Sequence, residues 1–181
     1  MLTLTLTTTT DVSPMLDVFA RRARLVAGEA PPEAAELEDV KAHVAKALDE
    51  TRAEEEKTLV KRLAAGLPKG VRLARVASQR EGLLLTSTTT LELDDVSLVP
   101  KVELAASEGQ PPLKPFADFI VKREQGRVVL SGRSPVVPEG AGSMSLSLKA
   151  SVAPTSHNAP VERDGLLTWT GSGFEVRVAF G

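Results

Sequence analysis

Residues 32–65, PEAAELEDVKAHVAKALDETRAEEEKTLVKRLAA, are the one long stretch of this 181-residue chain with helical spacing and no glycine. Leu37, Val40, Val44, Leu48, Leu59, Val60 and Leu63 recur at three- and four-residue intervals or their multiples, which predicts an amphipathic helix with a narrow apolar stripe. Pro32 can open this helix, and Gly66, Pro68 and Gly70 end it. An unbroken helix of this length spans about 50 Å, barely less than the width of a compact domain of this size. Its middle, DETRAEEEK, is polar all round, so the expectation is a helix bent or interrupted there.

Strand patterns lie on both sides of the run. Leu2, Leu4 and Leu6 alternate with Thr3, Thr5 and Thr7, the period of a strand with one buried face. Ser13 and Pro14 then signal a short helix whose Leu16, Phe19, Ala20, Ala23 and Val26 share a face until Gly28. Arg21, Arg22 and Arg24 near its end read as a solvated basic face, with anionic lipid headgroups as the functional alternative.

After Gly70, VRLARVASQR and LLLTSTTTLEL flank a Glu81-Gly82 turn and predict a hairpin. Val96 to Leu104 reads as an irregular edge segment around Pro100, and SEGQPPLKP as a loop. A second hairpin is expected from Phe116 to Gly132 across Gln125-Gly126. SPVVPEGAG is another loop, SMSLSLKASV alternates cleanly, and LLTW and FEVRVAF follow, joined by the GSG of residues 171–173. The fold class is therefore α+β, one domain over residues 1–181: β-α-α, then six to eight mostly antiparallel strands. The sheet, about 71–181 plus strand 2–10, is expected to curve against the long helix in a helix-grip-like arrangement. An apolar cavity can remain between such layers.

Composition removes several function classes. A net charge of -2 with interspersed signs offers no basic stripe for phosphates, and five Phe, one Trp and no Tyr offer little for base stacking, so nucleic acid is not an expected partner. With no cysteine there is no disulfide, thiolate metal site or Cys nucleophile. Ile120 and Asn158 are the only residues of their types and Arg exceeds Lys, a bias suggesting a GC-rich bacterial genome.

Catalytic constellations are sparse. His43 has Asp39 and Ala47 at four-residue spacing, which is no HExxH site, and reads as solvated. His157, in PTSHNAP, reads as part of a turn, and Ser156 beside it lies in no GxSxG elbow. Asp94-Asp95 reads as a strand-ending turn and Glu54-Glu55-Glu56 as a solvated helix face. The lone GxG at Gly140 and Gly142 has no helix after it to hold a pyrophosphate. The expectation is no catalytic residue, no metal site and no cofactor.

The segment HNAPVERDGLLTWTGSGFEVRVAF, with the opening LTLTLT strand, resembles the soluble domain of bacterial envelope lipoproteins of the mycobacterial LppM type. There an Asn-Ala turn precedes a Gly turn, a Leu-Thr-Trp strand and a final strand. The resemblance implies a lipid-binding-like domain in the cell envelope, periplasmic or extracytoplasmic and held at a membrane. The lipobox cysteine, leader and terminal apolar helix of that family are not in this sequence, and a chain complete as given would instead be cytoplasmic.

The resulting expectation is a non-enzymatic envelope domain that binds a lipid or other apolar ligand between helix and sheet, with Leu37, Val44, Leu48, Phe116, Ile120 and Trp169 as wall residues. A membrane surface is a further expected partner, and no oligomeric state is implied. The competing readings are a dry core around the same residues, an interaction module that projects the long helix toward a partner, and, third, a hydrolase or metal enzyme.

Overall fold

The computed structural model describes residues 1–104, 114–137, 140 and 142–181, and within these the side chains of all but residues 51–56, 59 and 62. The chain is α+β with two antiparallel sheets. It runs β1 (Leu2–Asp11), α1 (Ser13–Val26), α2 (Ala34–Ala65), β2 (Val71–Glu81), β3 (Leu84–Leu93), a 3-10 helix (Val96–Lys101), β4 (Ile120–Glu124), β5 (Arg127–Arg133), β6 (Gly142–Ala150), β7 (Pro154–His157), β8 (Val161–Arg163), β9 (Leu166–Gly171) and β10 (Glu175–Phe180).

The strands divide between two sheets instead of curving as one. The six-stranded sheet has the order β2-β3-β1-β6-β9-β8 and the four-stranded sheet the order β4-β5-β10-β7. The GSG of residues 171–173 links β9 of one sheet to β10 of the other. Leu4 of β1, Leu91 of β3, Leu148 of β6 and Leu167 of β9 meet Leu130 of β5 and Val176 and Val178 of β10 in one buried cluster. Phe116 and Phe119 join it edge to face, their ring centroids 5.4 Å apart.

Register explains why one face of the large sheet is apolar and the other is not. Leu2, Leu4 and Leu6 sit opposite Leu93, Leu91 and Thr89 on one side and Ala150, Leu148 and Leu146 on the other, all on the core face. The odd-numbered threonines face away. Thr5, Thr7 and Thr9 hydrogen-bond through their hydroxyls to Thr90, Thr88 and Thr86, each at 3.2 Å, and Ser147 bonds Thr168 at 3.0 Å.

Local chemistry sets the turns. Gln125 and Gly126 both have positive φ, as do Asp164 and Gly165, the pair of left-handed residues that a type I′ hairpin requires. β4 begins at Ile120 rather than at Phe116, which lies in a turn. Residues 154–157, expected as a turn, form β7, paired with β10. The expected loop at 107–115 falls, through residue 113, outside the described residues, as do 138, 139 and 141 of the next loop.

α2 is a single helix from Ala34 to Ala65, so the expected interruption is absent. Its start explains part of its length: Glu33 and Glu36 form a capping box, each side chain bonding the other's backbone N–H. At α1 it is the Asp11 carboxylate, not Ser13, that takes the first free amide, from Ser13 N at 2.9 Å.

Candidate functional site

Two places on this scaffold bring chemistry together. The first lies where α2 packs along β2, the edge strand of the large sheet. Beyond the rows that the small sheet covers, the same core face continues as Leu6, Thr89 and Val76, then Thr8, Ser87, Met144 and Ser78, then Thr10, Leu85 and Arg80. Leu6, Thr8, Met144 and Val76 are half-buried, where the equivalent Leu4 and Leu91 are sealed. Arg80 reaches from this row to α2: Nη2 donates to the Ala45 carbonyl at 2.7 Å and pairs with the Asp49 carboxylate. Leu63, near the other end of α2, packs in the core cluster with Val71.

The Arg80 side chain is only 7% exposed. Among the described residues its Nε and Nη1, both buried, have no hydrogen-bond partner. A guanidinium carries five N–H donors, and buried donors left unmade are costly. The position therefore suits a ligand oxygen.

The six expected wall residues separate into groups. Leu37 is buried on α2, and Val44 and Leu48, on the same helix as the Arg80 contacts, are half-buried. Phe116 and Trp169 belong to the core cluster between the sheets. Ile120 stands at an outward position of β4 and is 47% exposed. Sequence reasoning passed over Arg80; the signal available was a basic residue on the apolar phase of a strand.

The second place is a cleft of ≈ 610 Å³ between the β6–β7 connection and the β8–β9 turn, bordered by Lys149, Ser156, His157, Glu162 and Asp164. His157 Nε2 lies 3.0 Å from Glu162 Oε2, and its Nδ1 is buried without a partner. Ser156 makes no hydrogen bond to the ring, so no nucleophile and base are joined here. Among the described residues there is no group of three His, Asp or Glu that could hold a metal ion. His43 is exposed on α2.

Compared with protein families, with curated proteins and with solved structures, the chain finds no match in any of the three. No helix among the described residues is long and apolar enough to cross a membrane.

Proposed function

We propose that this chain is a non-enzymatic domain of the bacterial cell envelope that binds an apolar, oxygen-headed ligand, such as a lipid, between α2 and the large sheet in a helix-grip-like manner. The observation that carries the reading is Arg80, buried beneath α2 with Nε and Nη1 unpartnered among the described residues. Asp49 already balances its charge through Nη2, so the free donors call for an acceptor oxygen, either neutral or anionic. Val44 and Leu48 of α2 and Leu6, Val76 and Met144 of the sheet are half-buried apolar groups suited to an acyl chain. The resemblance of residues 157–180 to LppM-type lipoproteins points toward the same ligand class and compartment.

Uptake of a single-chain probe tests this reading. The protein, freed of co-purified lipid and equilibrated with oleate, carries oleate in native mass spectrometry, and an Arg80→Met variant that still melts cooperatively carries much less. A wild-type protein that neither brings lipid through purification nor takes up oleate overturns the proposal.

A further inference from the structure

α1 is amphipathic with its sides reversed. A surface helix ordinarily turns its apolar stripe toward the protein, yet α1 contains no buried residue. At 100° per residue, Met15, Val18, Phe19, Leu25 and Val26 fall within an arc of about 120°, and all five are exposed, Leu25 and Val26 at 77% and 81%. The sequence places Phe19 and Val26 on a buried face with Leu16, Ala20 and Ala23; the structure separates them. The small side, Ala20, Ala23 and Ala27, shares a groove with Pro32 and Val40 of the α2 segment. Its ionic groups also face α2: Asp17 pairs with Lys41 at 3.1 Å and Arg24 with Glu36 at 2.7 Å.

Charge on the outward side has one sign. Arg22 lies in the middle of the exposed stripe and Arg21 at its flank, and among the described residues neither is in an ion pair or side-chain hydrogen bond. The acid of this helix, Asp17, is on the opposite side. Next to the start of α1, Val12 N bonds Leu83 O of the β2–β3 turn. The exposed acids near this helix are Glu81, at the hairpin rim, and Glu29, which pairs with Arg24 at 3.1 Å.

We infer that α1 docks this protein onto an anionic lipid bilayer surface, lying in the interface with Met15, Val18, Phe19, Leu25 and Val26 inserted and Arg21 and Arg22 at the headgroups. An arginine in the centre of an apolar stripe would need its own acid in a protein groove, whereas at a bilayer its stem lies among acyl chains and its head reaches the phosphates. The inference is independent of the Arg80 site, since oleate uptake is read without vesicles.

Co-sedimentation with vesicles of phosphatidylcholine, alone or mixed with phosphatidylglycerol, tests it. The wild type sediments with the mixed vesicles at low salt and far less with phosphatidylcholine alone. Arg21→Gln with Arg22→Gln weakens partitioning about thirtyfold, each basic side chain at an anionic surface contributing about fivefold. This pair leaves the melting temperature unchanged, because neither arginine has a partner among the described residues. A Phe19→Trp variant gains a blue-shifted emission on mixed vesicles while the buried Trp169 stays constant. Absent binding, binding indifferent to phosphatidylglycerol, or a dimer that Phe19→Ser dissociates would each overturn the inference, the last by assigning the stripe to a second copy.

Discussion

The indole nitrogen of Trp169 donates a 3.1 Å hydrogen bond to Asn158 Oδ1, which also accepts the Arg177 backbone N–H at 2.7 Å. Asn158 Nδ2 donates in turn to the Glu175 carbonyl at 3.1 Å. Trp169 belongs to the large sheet and residues 175 and 177 to the small one, so a single amide side chain ties the two layers together. Trp169 is 1% exposed, and its N–H is met by the amide of Asn158, itself a surface residue. Asn158→Ala removes all three of these hydrogen bonds and is expected to destabilise the fold by about 1–3 kcal/mol. Urea unfolding followed by Trp169 fluorescence measures this directly, Trp169 being the only Trp. Asn158→Asp keeps the acceptor, loses the donor and falls between.

Gly132 on β5 is expected to tolerate no side chain. A Cβ there would lie 2.5 Å from Phe119 Cγ and 2.7 Å from Phe119 Cα, so backbone as well as ring would have to move. Phe119 is itself held against Phe116. Gly132→Ala should cost at least the 1–3 kcal/mol of an overpacked core, visible as a lower urea midpoint, whereas Gly140→Ala meets no neighbouring atom and is limited by its positive φ alone.

Both expectations bear on what the sequence discloses. Alternation in residues 2–7 and 143–149 was enough to identify strands with one apolar face, because a side-chain period of two is a local property. The β-α-α order and the Gln125-Gly126 hairpin were legible for the same reason. The division into two sheets was not, because β9 and β10 alternate alike and only pairing across the chain assigns them to different layers. The interruption expected in α2 weighed a polar middle above helix propensity, yet Glu, Lys, Ala and Arg are good helix formers and the helix runs through. Phe19 was misassigned because α1 carries two apolar arcs, one of alanines and one of larger residues, and periodicity does not say which is covered. Arg80 was hidden because its burial is made by Ala45 and Asp49, distant in sequence.

The helical pair should respond to pH on both sides of neutrality. Glu36 is held below the usual carboxylate range, first by the Glu33 backbone N–H and then by Arg24; Asp11 and Asp95 are lowered by Ser13 and Ser97. A depressed folded value means a contribution present above the unfolded value, about 4, and lost as pH falls through the folded one. Lys41 is raised, chiefly by Glu38 and then Asp17, so its contribution is present below about 10.4 and lost as pH rises through the folded value. Helical circular dichroism should show melting temperatures that are flat near neutrality and fall toward both extremes. Glu36→Gln should make the acid arm shallower, leaving the share of Asp11 and Asp95, and leave the alkaline arm unchanged.

The hydroxyl rungs on the outer face invite the opposite expectation, of little loss. Thr7 and Thr88 are directly paired across β1 and β3, and their hydroxyls bond each other at 3.2 Å while remaining half-buried at the surface. Replacing both by valine removes donor and acceptor together, so no buried group is left unsatisfied, and the β-branched shape that suits a strand is kept. The double variant should differ from wild type by no more than about 0.5 kcal/mol in urea unfolding, within the range of ordinary surface changes. A single Thr7→Val should be equally mild, since the Thr88 hydroxyl can turn toward water. A loss of several kcal/mol in either would mean that the rung is covered, and that the outer face of the large sheet contributes to a buried interface.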